Sequence, residues 1–177
     1  MNTSINKRFS FFLIALFSFQ LSIAQTYTNY EVDDRVRAEN ENIARSIFAN
    51  FGVDNSANSR NSTIDGNSVF LKQIGELNTL SVVTSTVASN INVMQNGNGN
   101  DVTLKYKANT AIADLVQNGN DNRISDFVSN GNIDISLDLT QDGNGLIFER
   151  NGANELTKSL KLIQTEASPK LIIRSFN

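Results

Sequence analysis

The chain has 177 residues, a formal net charge of -3, and neither cysteine nor histidine. Disulfides, thiol chemistry, imidazole catalysis and histidine-bound metals are therefore excluded, and the charge is too small to argue for a nucleic-acid partner. A single domain is the natural expectation for this length. We predict neither an enzyme activity nor a cofactor.

The segment 1–24 has the features of a secretory signal peptide. Lys7 and Arg8 give a basic start, an apolar run covers 9–19, and Ser22-Ile-Ala24 forms a small-x-small cleavage site. The apolar run is too short to cross a bilayer as a helix. We therefore predict a secreted chain that begins at Gln25, and loss of the two basic residues changes its charge from -3 to -5.

Residues 25–66 are predicted to be a leader followed by a linker. Apolar residues recur there at multiples of three and four and stop just before Gly52: Val32, Val36, Ile43, Ile47 and Phe51. This spacing is typical of an amphipathic helix, and a flexible acidic leader explains the composition equally well. From Asp54 to Asn67 the chain is rich in Asn and Ser, as linkers are.

Residues 67–177 consist of sequence repeats. The pattern Gln-x-Gly-x-x-Asn begins at Gln73, Gln95 and Gln117, which are equally spaced, and Gln141 and Gln164 follow at nearly the same interval. A fixed period of roughly 20–50 residues indicates stacked supersecondary units. The predicted units are 67–88, 89–110, 111–134, 135–157 and 158–177.

Each unit is predicted to be strand–turn–strand. The positions four and two before each Gln are apolar and alternate with mixed residues, so they form one face of a half-buried strand that also carries the Gln. The seventh and ninth positions after the Gln supply a second strand: Leu80 and Val82, Val102 and Leu104, Ile124 and Asp126, Leu171 and Ile173. Turn glycines lie between the strands: Gly75, Gly97, Gly119 and Gly143. The expected fold is an all-β solenoid of about five coils.

Stacking would place the five glutamines one above another at ~4.8 Å. Buried amides need hydrogen-bond partners, and Asn and Gln ladders supply them in cross-β assemblies. The asparagines of the repeat form a candidate second ladder: Asn78, Asn100 and Asn122. Asp126 is the odd inward residue, because a buried carboxylate must be protonated or paired and no partner is evident. Both ends of the stack are expected to expose unpaired strand edges, which favours end-to-end addition.

The repeat resembles that of the curlin family, Ser-x5-Gln-x-Gly-x-x-Asn-x-Ala-x3-Gln. Residues 89–100 match its first half, from Ser89 to Asn100. The other units keep the spacing better than the residues: Leu146 replaces the Asn after Gln141, and the second Gln is replaced by Thr84, Tyr106 and Val128.

The resemblance implies an extracellular amyloid subunit of a Gram-negative-type bacterium. Curlins are exported unfolded through an outer-membrane pore with accessory factors, and they form cell-surface fibres with other curlin subunits that support adhesion and biofilm. The last unit has lost Gly and Asn and carries Pro169 and Arg174, which is similar to the surface-anchoring repeat of the minor, nucleating subunit. The alternatives are a major fibre subunit and a soluble, non-polymerising β-solenoid adhesin.

Two other classes fit less well. A calcium-binding β-roll needs a nine-residue period, and its Gly-rich motif is approached once, at 96–101. An enzyme on a β-helix would have to use paired carboxylates such as Asp134 and Asp138, on too few coils to build a long cleft.

Overall fold

The structure is a computed structural model that describes residues 34–168 and 170–175. The predicted signal peptide, residues 25–33 and Pro169 lie outside the described residues. The part of the chain from Ala38 onwards forms one compact unit. The described chain starts with an α-helix, α1 (Asp34–Asn50), and a short 3₁₀ helix (Ser59–Ser62), which precede the strands.

Nine strands follow. The first side of the coils is built by β1 (Asn67–Ile74), β2 (Ala88–Asn96), β4 (Thr110–Asn118), β6 (Asp134–Asp142) and β8 (Ser159–Thr165). The second side holds β3 (Thr103–Lys105), β5 (Ser125–Phe127), β7 (Ile147–Glu149) and β9 (Lys170–Ile172). The long strands form one parallel sheet in the order β1-β2-β4-β6-β8, while β3 pairs with β5 and β7 with β9. The predicted β-solenoid of about five coils is confirmed.

The register of the five-stranded sheet follows the repeat. Each strand pairs with the next at equivalent positions, so that Gln73, Gln95, Gln117, Gln141 and Gln164 form one row. The apolar residues four before the Gln are fully buried in the inner coils, as Ile91, Ala113 and Leu137 show. A shift by one residue would turn these side chains to solvent, which is why the alternation fixes the pairing.

The second side of the coils is less regular. The strand expected around Leu80 and Val82 does not form, although both side chains pack against the core. Residues 103–107 and 125–129 lie at positive φ, a conformation that residues other than glycine seldom adopt.

Differences in repeat length fall on the arc that leads from the second side back to the sheet. Four residues, 106–109, separate β3 from β4, whereas six residues, 128–133, separate β5 from β6. The two extra residues between Gln117 and Gln141 therefore leave the register of the main sheet unchanged.

The leader is helical over Asp34–Asn50, which decides between the two interpretations of that stretch. Its predicted apolar face does not pack, because Ile43 and Ile47 are more than half exposed, and Phe48 contacts the core instead. Within the described residues, no helix has the length and apolar character needed to cross a membrane.

The predicted linker lies along the solenoid. Arg60 forms an ion pair with Asp114 of the third coil, and the Asn61 amide donates to Thr110 and to the Ile135 carbonyl, each at 2.9 Å. Side-chain contacts of this kind are what an Asn/Ser-rich stretch can supply, and composition alone does not reveal them.

Candidate functional site: the ladders and the two ends of the stack

The five glutamines form a continuous ladder. Each Nε2 donates to the Oε1 of the next glutamine, from Gln73 to Gln95 at 2.6 Å, to Gln117 at 2.9 Å, and onward to Gln141 and Gln164 at 2.8 Å each. The inner members are fully buried. All the amide donors point towards the last coil, so the ladder has a direction.

The glutamines also tie the two sides of the solenoid together. The second N–H of each buried amide donates to a carbonyl on the second side: Gln95 to Thr79 at 3.1 Å, Gln117 to Asp101 at 3.1 Å, and Gln141 to Arg123 at 2.7 Å. Because every donor has a partner, burial of these amides costs little. In the described residues, no buried side-chain nitrogen or oxygen lacks a hydrogen-bond partner.

The asparagine row differs from the side-chain ladder that the sequence suggested. The Oδ1 of Asn78 accepts from the backbone N–H of Asn100, and the Oδ1 of Asn100 accepts from that of Asn122, at 3.0 and 3.1 Å. Each Nδ2 donates to the turn-glycine carbonyl of the next coil at 2.8 Å. These amides therefore hold the backbone of the neighbouring turn rather than each other.

A further polar row was missed in the sequence. The backbone N–H at the third position after the first four glutamines donates to a side-chain oxygen one coil on, at 2.8 to 3.3 Å: Glu76 to Asn98, Asn98 to Asn120, Asn120 to Asn144, and Asn144 to Glu166. Most of the signal was present, because all five residues are polar and four of them stand three residues after their Gln, whereas Glu166 stands two after Gln164.

The turn glycines are required by close approach of successive coils. Gly97 and Gly119 have φ of +128° and +120°, and a Cβ on either would overlap the glycine carbonyl oxygen of the next coil. No other residue combines that backbone with that contact. Gly75 makes the same approach to Gly97, and Gly143 approaches the Glu166 side chain.

Asp126 has a partner that the sequence reasoning did not name. The Arg150 guanidinium donates to both carboxylate oxygens at 2.7 and 2.8 Å, and the Tyr106 hydroxyl donates to one of them at 3.0 Å. The side chains of Asp126 and Arg150 are both 0% exposed. Arg150 also donates to the carbonyls of Ser136 and Thr157 at 3.2 and 3.1 Å, which completes a closed polar cluster inside the core.

Burial and the charges of the cluster shift the pKa values of Tyr106 and Arg150. Burial, together with the adjacent Asp126 carboxylate, raises the pKa of Tyr106 well above 10.0. Burial alone would lower the pKa of Arg150, but the Asp126 carboxylate outweighs it and the net shift is upward. Tyr106 is therefore neutral and Arg150 charged at any ordinary pH.

The spacing that flagged Asp126 also leads to Arg150. Asp126 is the ninth residue after Gln117, and Arg150 is the ninth after Gln141. Equivalent positions of adjacent coils stack, so an acid and a base at the same offset can pair across one inter-coil step. Applying the offset to the Gln141 unit, which the second-strand assignment omitted, would have identified the pair.

The first coil is open. Val69 and Leu71 are each 47% exposed, whereas the equivalent Ile91 and Val93 of the second coil are 0% and 1% exposed. The outer edge of β1 has no strand partner in the described chain. The Gln73 amide donates to Gln95, while its own Oε1 accepts from none of the described residues.

The last coil is covered, contrary to the expectation of two open ends. Leu160 and Leu162 are only 1% and 6% exposed. The backbones of Asp54 and Lys161 exchange two hydrogen bonds, at 2.8 and 2.7 Å, as an antiparallel bridge on the outer edge of β8. Val53, 3% exposed, belongs to the same core cluster as Leu160 and Leu162. The leader thus supplies the neighbour that a sixth coil would otherwise provide.

The residues proposed for surface anchoring are only partly described. Arg174 lies on the last coil with its side chain 59% exposed, 3.5 Å from the Glu149 carboxylate. Pro169 is outside the described residues. Among the described residues, no group of three or more acidic side chains is placed to hold a metal ion.

The fold and the ladder define a class: a short parallel β-solenoid with an inward glutamine row, one open end and one covered end. Comparison of the chain with protein-family models, with curated proteins and with solved structures finds no match.

Proposed function

We propose that the chain is an extracellular structural subunit of a curlin-like amyloid fibre. The observation that carries the proposal is the open first coil, where a regular ladder, an apolar column and a strand edge all stop at solvent. The structure that would continue all three features beyond the first coil is another coil of the same kind. The function is therefore homotypic stacking, and no catalytic step is assigned to any residue.

The polarity of the ladder favours head-to-tail addition. The first coil presents the Oε1 acceptor of Gln73, so it fits a glutamine that arrives with its Nε2 donor. Two first coils brought together would face acceptor with acceptor. A second copy stacked through its last coil would instead continue the row from Gln164 to Gln73, at the spacing the coils already have, once the N–H that Gln164 donates to the Ser168 carbonyl turns to Gln73.

Assembly of the mature chain, residues 25–177, tests the proposal. We expect thioflavin-positive fibres with reflections near ~4.8 Å along the fibre axis and ~10 Å across it. Changing Gln95 and Gln117 together to Leu is expected to slow fibre formation. The matched control changes their outward neighbours, Met94 and Val116, to Leu. A protein that stays monomeric under all conditions, without the ~4.8 Å reflection, contradicts the proposal.

Gln73→Leu separates the ladder's role in assembly from its role in folding. The Gln73 side chain is exposed, and its amide makes one hydrogen bond, to Gln95. The variant is therefore expected to keep nearly normal stability. Elongation should nevertheless slow, because the incoming donor loses its acceptor. Elongation at the wild-type rate would count against the ladder as the joining element.

Within such a system we infer the minor, nucleating role, with export through an outer-membrane pore and residence at the cell surface. The last coil supports this, since its sequence has Glu166 at the offset of the turn glycine and Ala167 and Pro169 at the offsets of the inner-turn Asn residues. Deletion of 158–177 is expected to release the protein from the surface. Because that deletion also removes β8, Arg174→Ala is the narrower variant, with Lys170→Ala as its control. Full surface retention of both would favour a major subunit.

A soluble, non-polymerising adhesin is the second candidate, and the covered last coil favours it. The two candidates differ in one outcome: the adhesin remains monomeric at high concentration and does not bind thioflavin.

A further inference from the structure

We propose that the segment 38–56 is an intramolecular cap on the last coil, so that the folded chain offers one receptive end, the first coil, to a second copy of itself. This inference rests on the proposed function and adds its regulation. Release of the cap opens the second end and permits continuous growth.

The contact that makes the cap is a backbone bridge. The N–H of Asp54 donates to the Lys161 carbonyl and the N–H of Lys161 donates to the Asp54 carbonyl. These are groups on the edge of β8 that a strand of a further coil would need. An antiparallel bridge therefore occupies the site at which a parallel β1 would pair.

Side chains extend the contact beyond the bridge. The Asn55 amide donates to the Leu156 carbonyl at 3.1 Å, and the Ser159 hydroxyl donates to the Ser56 carbonyl at 2.5 Å. Val53 belongs to the same buried core cluster as Leu160 and Leu162, whereas the equivalent residues of the open first coil, Val69 and Leu71, are each 47% exposed. A second copy must displace all of these contacts before it can add at this end.

The cap is also small enough to leave. A single bridge and two side-chain hydrogen bonds hold it to the last coil, and Val53 and Phe48 pack it against the core, whereas each inner coil pairs through seven or more residues. Local opening of such a segment requires much less free energy than opening of the sheet. The same chain can therefore be inert when capped and competent when uncapped.

A reversible crosslink tests the cap. The chain has no cysteine, and residues in a hydrogen-bonded antiparallel pair lie ~5.5 Å apart at Cα, within the disulfide range. D54C/K161C should therefore form a unique disulfide. We expect the oxidised protein to remain monomeric and the same protein after reduction to form fibres. Fibre growth at equal rates in both states overturns the cap.

Proline supplies the opposite test. Asp54→Pro removes one bridge donor, and its control, Ala57→Pro, lies at an exposed position whose N–H bonds to none of the described residues. We expect Asp54→Pro to shorten the lag of fibre formation and Ala57→Pro to leave it unchanged. Equal lags in these two variants contradict the cap.

Hydrogen exchange keeps the cap testable if no variant forms fibres, a result that would reject the proposed function itself. The Lys161 amide should be protected in the wild type and in Ala57→Pro, and should exchange about tenfold faster or more in Asp54→Pro. An unprotected Lys161 amide in the wild type, or equal exchange in all three proteins, overturns the cap independently of fibre assembly.

Discussion

At the scale of single residues, the core is unusual in holding a charged cluster. Asp126 and Arg150 are paired through two hydrogen bonds and are both fully buried. Such a pair adds little stability compared with apolar residues of similar size, but removing one partner leaves the other as an unpaired buried charge. The pair is matched at one step of the stack, between the third and fourth coils, so it also marks those coils as neighbours.

Arg150→Met is expected to destabilise the protein by roughly 3–5 kcal/mol, because the Asp126 carboxylate loses its partner. The double variant D126L/R150M should recover most of that loss. Urea unfolding of the two single variants and the double variant measures the coupling. A double variant as unstable as the sum of the two singles would contradict the pairing as the cause.

Tyr106 predicts a loss of stability in alkali. Its pKa is raised in the folded protein by burial and by Asp126, so the folded state keeps a proton that the unfolded chain gives up. Its contribution is complete below the ordinary pKa of 10.0 and is lost as the pH rises above that value. Tyr106→Phe should flatten the fall of unfolding free energy with pH in this window, and an unchanged slope would assign the effect to other groups.

At the scale of elements, the turns are held by rows that run from coil to coil. The backbone of each inner turn is fixed by Asn and Glu side chains of its neighbours, and the glycines let successive coils approach. A turn of this kind has its shape only in the presence of an adjacent turn. Coil formation should therefore be cooperative along the stack.

Two glycine substitutions separate close approach from backbone strain. Gly119→Ala adds a Cβ that overlaps the Gly143 carbonyl oxygen, whereas Gly145→Ala places its Cβ in open space at φ of +64°. Gly145→Ala should cost roughly 1–2 kcal/mol, the strain of a left-handed alanine. Gly119→Ala should cost clearly more, because the coils must also separate. Thermal and urea unfolding compare the stabilities of the two variants. Equal losses of unfolding free energy would show that close approach of the coils does not require glycine at position 119.

At the scale of the whole molecule, the proposed stacking of copies would create a junction that the single chain lacks. Head-to-tail addition would place Glu166 beside Glu76 in the same polar row. Two carboxylates one strand spacing apart repel when both are ionised. Glu76→Gln should therefore speed elongation at low salt and lose much of this advantage at high ionic strength, where the repulsion is screened. Asp65→Asn, which makes the same charge change outside the rows, is the control. If both variants speed elongation equally, the effect comes from net charge and not from repulsion at the junction.

The sequence predicts the periodic half of the molecule well, for a physical reason. A nearly constant period with inner alternation leaves one register for the main sheet, and the structure has that register. The aperiodic contacts were not accessible. Asp54 and Lys161 form a bridge although they are far apart in the sequence, and no sequence pattern links the two positions. The spacing indicated the helix as one of two interpretations, and it did not indicate the face that packs, because Phe48 rather than Ile43 or Ile47 contacts the core.

The arc 128–133 has a practical consequence. It is two residues longer than the arc 106–109, and the sheets on either side keep their pairing. A polymer built from such coils would carry this segment at every subunit, on the rim and away from the glutamine row. A foreign peptide grafted there would be displayed at the regular intervals of the filament, which makes the arc a natural attachment point for cargo.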